Sequence, residues 1–198
     1  MTKPVIYLIV ATLAVTTICC GSSCKTTQHT TTQQHSNVQT TSKTSQSSTN
    51  SQSAEYKKYS EKLKTQFKGT EDLAMLKEIS EWIGTPYKYA SAKKGVGTDC
   101  SGFVTSVYLN VYNIKLNRSS YDIINNVDVV DRSKMDFGDI LFFADEKGKI
   151  YHVGIYLGNN NFVHSATSNN VGVKIDNLNS TYYKQHFYKA GHVKGLKK

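Results

Sequence analysis

One cysteine and two histidines in the second half of the chain have the residue types that nucleophilic catalysis requires. Cys100 lies in residues 98–104, which read TDCSGFV and follow a turn containing Gly95 and Gly97. A Thr-Asp pair is typical of a helix start, and apolar residues then recur at helical spacing, which predicts Cys100 in the first turn of a helix. Free backbone N–H groups and the helix dipole favour an anion there, so we expect the pKa of the thiol to fall from about 8.5 towards neutrality. A lone cysteine is also compatible with a small buried apolar residue.

His152 and His164 flank a predicted turn at residues 158–161 and lie in two predicted antiparallel strands. A tight hairpin brings side chains of neighbouring strands together. One imidazole can then take the Cys100 proton, while the second fixes the tautomer and orientation of the first. Each histidine alone is more typical of an ordinary strand residue, but their combination with one thiol favours catalysis.

A metal site is the competing use of one cysteine and two histidines. Structural zinc sites need four ligands and usually contain a short-spaced pair such as C-x-x-C, and no such pair includes Cys100. His186 and His192 lie near the C-terminal end of the sequence. No glycine-rich phosphate loop is present either. The sequence therefore predicts neither a metal nor a cofactor.

The first 23 residues are predicted to be a lipoprotein signal peptide. Lys3 precedes an apolar run over residues 4–18 that is too short for a comfortable membrane span. The run ends in CCGSSC, residues 19–24, and this resembles a bacterial lipoprotein signal in which Cys24 becomes the lipidated first residue. Ordinary secretion with a free Cys24 is the alternative. With Cys24 lipidated, Cys100 is the only free thiol of the mature protein, and a lone exported cysteine is more often reactive than structural.

Residues 24–54 are predicted to be a disordered tether, and residues 55–198 the folded domain. The tether is rich in Ser, Thr and Gln and lacks hydrophobic periodicity, so it cannot bury enough apolar surface to fold. The chain has a formal net charge of +9, and all 15 acidic residues fall in the domain. This charge suits an anionic partner, but without a recognisable motif it does not indicate nucleic acid.

The periodicity of the domain changes from helical to strand-like along the chain. Helices are predicted over residues 55–67, 70–83 and 100–113, with a short helix at 121–125. Strands are predicted at 127–130, 139–143, 151–157, 162–165 and 171–175, followed by a short helix at 179–186 and a last edge strand at 188–193. A helical half followed by consecutive hairpins is typical of an α+β fold with an antiparallel sheet.

Four segments resemble the NlpC/P60 family of cell-wall cysteine peptidases: residues 98–104, 137–143, 152–158 and 162–165. The sequence DCSGF followed later by HVGIY is specific in this order, whereas DCSG alone is a weak signal. The resemblance extends over about residues 79–193. It implies a papain-like core in which the cysteine-bearing helix packs on an antiparallel sheet.

The resemblance also implies roles for individual residues. Cys100 corresponds to the nucleophile, His152 to the general base and acid, and His164 to the residue that orients His152. Tyr87 matches a tyrosine that helps the backbone N–H of Cys100 to stabilise the oxyanion. Three further positions match residues of the family's site and its Arg-Ser/Thr loop: Asp99, Ser101 and Arg118.

The function that the resemblance implies is hydrolysis of peptidoglycan stem peptides between the γ-carboxyl of D-glutamate and the following diamino acid. Basic residues near the cleft would suit the carboxylates of these stems. The family usually has Gly-Gly where this chain has Ala90-Ser91, which is expected to alter the floor of the groove. The protein is predicted to be a monomer that a lipid on Cys24 anchors in the outer membrane, facing the periplasm. The alternatives are a papain-like amidase or acyltransferase for another substrate, and a catalytically silent wall-binding lipoprotein.

Overall fold

A computed structural model describes residues 44–167 and 171–196. The helices are α1 (Thr44–Lys62), α2 (Leu73–Trp82), α3 (Cys100–Tyr112) and α4 (Thr181–His186), with 3-10 turns at Asp122–Asn126 and Arg132–Lys134. The strands are β1 (Ala92–Lys93), β2 (Gly97–Thr98), β3 (Val127–Val130), β4 (Ile140–Ala144), β5 (Ile150–Gly158), β6 (Asn161–Ala166), β7 (Gly172–Asn177) and β8 (Phe187–Val193). Within these described ranges, no helix has the length and apolar character needed to cross a membrane.

Six strands form one antiparallel sheet in the order β3-β8-β4-β5-β6-β7, and β1 pairs with β2 in a small separate hairpin. The run from β4 to β7 is the predicted series of hairpins, so the predicted α+β class with an antiparallel sheet is confirmed. The prediction that the last strand lies at an edge is wrong, because β8 pairs with both β3 and β4. Gly191 permits this close pairing, since a Cβ there would lie 2.3 Å from Cγ2 of Val127.

The sheet is covered on both faces. Ile140 and Phe142 of β4 join the main core beneath α2 and α3, whereas Leu141 and Phe143 join a smaller core on the opposite face. This alternation is the period of two expected of a strand. Tyr183 of α4 packs against the smaller core. The side chains of β5, β6 and β7 that belong to the candidate site described below lie on this second face.

Helix α3 confirms the helix predicted at the cysteine. Asp99 is its N-cap, and its Oδ1 accepts a hydrogen bond of 2.6 Å from the backbone N–H of Gly102. The helix ends at Asn113, whose left-handed conformation is a common helix C-cap. Phe103 and Val107 are fully buried against the sheet. The local sequence thus places Cys100 at a helix start, as expected.

Helix α1 begins eleven residues before its predicted start, at Thr44 rather than at residue 55. The disordered tether predicted over residues 24–54 is therefore wrong for residues 44–54. Tyr59 and Leu63 bury against the domain and stabilise the helix. Once a helix is nucleated, adding polar residues at its end costs little free energy. The predicted signal peptide, Cys24 and the rest of the tether lie outside the described residues.

Candidate active site

Cys100 occupies the first residue of α3 and is half-buried, with no disulfide partner among the described residues. The backbone of Val153 in β5 and of Ser101 lies close enough to the thiol to act to lower its pKa. Ser165 of β6 fixes the approach to the helix, because its hydroxyl donates to the carbonyl of Thr98 at 2.8 Å. The thiol is thus held between the start of α3 and the backbone beside His152.

Burial raises the pKa of the Cys100 thiol above its ordinary value, so the expected fall towards neutrality is wrong. Backbone hydrogen bonds act to lower this pKa, but the loss of hydration outweighs them, and the nearby Asp99 carboxylate raises it further. His152 is affected in the opposite sense. Burial, followed by the neighbouring His164, lowers its pKa well below the ordinary value of histidine. At neutral pH the pair is therefore a thiol and a neutral imidazole.

This protonation state predicts a particular pH dependence of alkylation. A thiol with a raised pKa is protonated at pH 7, so we expect iodoacetamide to modify Cys100 slowly there. The rate should rise about tenfold per pH unit up to a pH above the ordinary pKa of a cysteine thiol. Mass spectrometry of the peptide that contains Cys100 measures this rate. The His152→Gln variant is the matched control and should show the same profile, whereas a plateau at pH 5–7 that this variant loses would indicate a thiolate–imidazolium pair instead.

The two histidines meet across the β5–β6 hairpin. The turn residues Asn159 and Asn160 both have positive φ, 52° and 62°, as a tight two-residue hairpin turn requires. Nε2 of His152 lies 2.7 Å from Nδ1 of His164. Gly154 lies beside His164, and the space there leaves no room for a side chain. A Cβ at this position would lie 2.9 Å from the Phe162 ring. The hairpin therefore brings the predicted pair into a direct hydrogen bond.

The sequence analysis did not single out three further residues of this hydrogen-bonded network: Lys174, Asp176 and Tyr183. Oδ2 of Asp176 lies 2.9 Å from Nε2 of His164, and it accepts hydrogen bonds from Nζ of Lys174 at 2.8 Å and from the Tyr183 hydroxyl at 2.7 Å. The three side chains His152, His164 and Asp176 stand twelve residues apart in sequence, one on each of three neighbouring strands. The sequence signal that could have identified two of them is the alternation of side chains along β7, which places Lys174 and Asp176 on the same face.

A cavity of about 490 Å³ opens beside these groups. Cys100 and His152 line it together with His164, and the outer wall includes the exposed Tyr151 and Tyr182, whose hydroxyls are 3.2 Å apart. This volume is suited to a segment of a peptide or another small ligand. Cys100, His152 and His164 thus line one accessible cavity.

Tyr87 lines the same cavity and is half-buried. Backbone hydrogen bonds hold its segment against the approach to α3, since the N–H of Lys88 donates to Thr98 and the N–H of Thr98 donates to Pro86, each at 3.0 Å. Burial, then the proximity of Cys100, raises the pKa of Tyr87. The phenol therefore keeps its proton at neutral pH and can donate a hydrogen bond into the cavity.

Asp99, Ser101 and Arg118 form a cluster at the start of α3 and are absent from the described residues that line the cavity. The Arg118 guanidinium donates to both carboxylate oxygens of Asp99, at 2.9 and 2.7 Å, and to the Ser101 hydroxyl at 2.7 Å. A Cβ at Gly102 would lie 2.3 Å from the carbonyl oxygen of Ser91, so the glycine of the DCSG segment is required sterically. These contacts fix the start of α3, while a direct contact of the cluster with substrate stays a prediction.

Ala90, the first residue of the Ala90-Ser91 pair, adopts a backbone conformation that favours glycine. Ala90 has a φ of 54°, in the left-handed region. The Ser91 hydroxyl donates to the carbonyl of Gly97 at 2.7 Å, and its own carbonyl accepts from the Asp99 N–H at 3.0 Å. Ser91 thus ties the loop to the helix start despite the strain at Ala90. The expected effect on the groove floor stays a prediction.

Comparison with known proteins places this site in a family. The model of the NlpC/P60 family matches residues 84–192, more than half of the chain. The chain belongs to the NlpC/P60 family. The fold is the one that the resemblance implied.

Two curated relatives and one solved structure illustrate the similarity. The Murein DD-endopeptidase MepS/Murein LD-carboxypeptidase of Escherichia coli K12 is 39% identical over 121 residues, which cover 60% of this chain and 61% of that protein. The Gamma-D-glutamyl-L-lysine dipeptidyl-peptidase of Bacillus cereus is 34% identical over 108 residues, which cover 54% of this chain and 32% of that protein. A crystal structure of an NlpC/P60 family protein from Bacillus cereus aligns with a TM-score of 0.56 at 31% identity, covering 61% of this chain and 39% of that one. The chain thus spans about three fifths of the Escherichia coli protein.

Proposed function

We propose that the protein is a cysteine endopeptidase that hydrolyses amide bonds in the stem peptides of peptidoglycan. The observation that carries this proposal is the single cavity shared by Cys100, His152 and His164 in an NlpC/P60 domain. The names of both curated relatives, a murein endopeptidase and a γ-D-glutamyl peptidase, support a peptidoglycan substrate. The site residues that the sequence predicted supply a complete set of roles for acyl transfer.

The reaction begins with a neutral thiol and a neutral imidazole. His152 removes the Cys100 proton as the sulfur attacks the carbonyl carbon of the scissile amide, which gives a tetrahedral oxyanion. The Tyr87 hydroxyl and the backbone N–H of Cys100 would stabilise this oxyanion by hydrogen bonds. The C–N bond then breaks, and His152 returns its proton to the departing amine. Water, deprotonated by His152, attacks the resulting thioester and releases a carboxylic acid and the free thiol.

The bond that we propose lies between the γ-carboxyl of D-glutamate and the following diamino acid. The Bacillus cereus relative is named for a γ-D-glutamyl bond, which supports this choice. The Escherichia coli relative is named as a DD-endopeptidase, which favours a D,D-cross-link as the second candidate. An amidase or acyltransferase for another substrate and a silent wall-binding protein are the alternatives outside peptidoglycan hydrolysis.

Mass spectrometry of muropeptides after incubation with the purified protein distinguishes these functions. We expect new fragments that end in D-glutamate or isoglutamine, together with the released diamino-acid peptide. The Cys100→Ala protein is the control and should give neither product. Conversion of cross-linked dimers to intact monomers would instead establish the D,D bond. If no product forms from any muropeptide, the endopeptidase proposal is wrong and wall binding becomes the better hypothesis.

We also propose that Cys24 carries the lipid that anchors a monomeric protein in the outer membrane, facing the periplasm. The apolar run over residues 4–18 and the small residues before Cys24 support this proposal. The mass of the mature N-terminal peptide tests it. A diacylglyceryl-modified cysteine at residue 24 is expected, whereas an unmodified N-terminus at any other residue would contradict the anchor.

A further inference from the structure

Asp176 is the terminal group of a hydrogen-bonded chain that begins at the cavity. His164 is 1% exposed, and its Nε2 lies 2.9 Å from Oδ2 of Asp176. The same oxygen accepts from the Lys174 ammonium at 2.8 Å and from the Tyr183 hydroxyl at 2.7 Å. Burial acts to raise the pKa of Asp176, but hydrogen bonds from His164, Lys174 and Tyr183 outweigh it and hold the pKa well below its usual range. Asp176 is therefore a carboxylate at every pH at which the enzyme would work.

An ionised carboxylate only accepts hydrogen bonds, and this fixes where the protons of both histidines lie. Nε2 of His164 must carry a proton, so Nδ1 of the neutral ring is bare. A bare Nδ1 can only accept, so the 2.7 Å bond requires the proton on Nε2 of His152. Nδ1 of His152 is then bare and is the nitrogen left to take a proton from Cys100. Burial, the largest influence, lowers the pKa of both histidines, which keeps both rings neutral at rest.

The Tyr183 hydroxyl does not replace Asp176 as the hydrogen-bond partner of Nε2 of His164. It lies 3.3 Å from Nε2 of His164 but only 2.7 Å from the carboxylate, and a phenol that donates to the carboxylate leaves the imidazole N–H free to do the same. Burial and the hydrogen bond to Asp176 raise the pKa of Tyr183, so it keeps its proton. Lys174 and Tyr183 thus hold the carboxylate in place rather than replace it.

We propose that Asp176 is a positioning residue that sets the tautomers of His164 and, through it, of His152. The inference rests on the proposed thiol chemistry and adds a fourth group to it. Without the carboxylate, His164 can hold its proton on Nδ1, and His152 must then place its own proton on the nitrogen that should accept from Cys100. When His152 becomes an imidazolium during the reaction, the Asp176 carboxylate also stabilises the positive charge of the hydrogen-bonded chain.

Nitrogen NMR of the histidine-labelled full-length protein tests this directly and needs no substrate. In the wild-type protein we expect His152 to show a protonated Nε2 and a bare Nδ1 between pH 6 and pH 8. In Asp176→Ala the Nδ1 signal should shift towards the protonated position. Unchanged histidine tautomers in this variant would overturn the proposal, even if the protein cleaves muropeptides. Conversely, a protein that cleaves none of the muropeptides can still confirm the role of Asp176 by this signal.

Kinetics of muropeptide cleavage supply the second readout. We expect kcat to fall about 10- to 100-fold in Asp176→Ala with little change in KM, a size typical of residues that orient a catalytic side chain by hydrogen bonding. Asp176→Asn should recover part of this loss, because its amide oxygen can accept from His164 in a side chain of nearly the same shape. Should Asp176→Ala fail to fold, Asp176→Leu, which removes the acceptor from a side chain of similar shape, should show the same shift of the His152 Nδ1 signal, and an unchanged signal would overturn the proposal.

The matched control is Lys174→Met, which removes a contact to the same carboxylate oxygen but leaves the carboxylate. It should keep the His152 tautomer of the wild-type protein. If Lys174→Met altered the tautomer as strongly as Asp176→Ala, the effect would belong to the packing around β7, and the proposal would be wrong.

Discussion

Cys100→Ala is expected to reduce stem-peptide cleavage by about 10⁴-fold or more. The variant removes the sulfur but keeps the Cβ of a half-buried residue, so the helix start and its Asp99 cap should persist. Binding of substrate in the cavity uses the remaining lining residues and should change little. The rate of product formation, followed by mass spectrometry, measures the loss, and urea unfolding should show a free energy of unfolding within about 1 kcal/mol of the wild-type value.

Cys24→Ala is the control for this experiment. It removes the other cysteine predicted to remain in the mature protein and should leave the cleavage of soluble muropeptides at the wild-type rate. A Cys100→Ala protein that retains a tenth or more of the activity would exclude Cys100 as the nucleophile. It would also exclude every role assigned here to the two histidines as partners of a thiol.

Gly172→Ala is expected to lower the free energy of unfolding by about 3 kcal/mol or more. Gly172 begins β7 with a φ of 74°, and a Cβ there would lie 1.9 Å from the carbonyl oxygen of Thr85 and 2.7 Å from Cα of Pro86. Both contacts are to backbone, so the segment that carries Tyr87 must move. The N–H of Val173 donates to Thr85 at 2.9 Å, and this hydrogen bond would be strained as well. The midpoint of urea unfolding measures the change.

Gly95→Ala isolates the steric part of this effect. Gly95 has nearly the same φ, 73°, but a Cβ there would meet nothing within 4 Å. This variant should therefore lose only about 1 kcal/mol, the cost of a left-handed conformation for a side-chain-bearing residue. Equal losses in the two variants would show that the contact between β7 and the Thr85 segment is unimportant. A further loss of activity specific to Gly172→Ala is expected, because that segment positions Tyr87 in the cavity.

The sequence was most informative where the chemistry depended on local patterns. A cap, a helix and a hairpin turn are each encoded within a few residues, so the positions of Cys100, His152 and His164 followed from spacing and turn type. The direction of the Cys100 pKa shift did not follow. It depends on how completely the sheet removes water from the thiol, which is a property of tertiary packing rather than of the helix start.

Asp176 and Tyr183 show two different limits of the sequence. The predicted strand stopped at Ile175, one residue before Asp176, and the ends of elements are the least reliable part of such predictions. Tyr183 lies in α4, a helix of only 6 residues. Its contact with the carboxylate requires α4 to pack on the second face of the sheet. The place of β8 beside β4 is a pairing between distant segments as well, and nothing in the local sequence specified it.

The spacing of twelve residues between His152, His164 and Asp176 makes catalysis a measure of strand registration. A slip of one residue between neighbouring strands would turn the core face outwards and cost most of the stability. A slip of two residues would return every side chain to its own face, but it would displace the relay partner by about 6 to 7 Å, beyond hydrogen-bonding distance. A chain folded in that alternative alignment would keep its apolar side chains on the core face but would lose turnover. Activity therefore reports a correctness of folding that melting curves cannot detect.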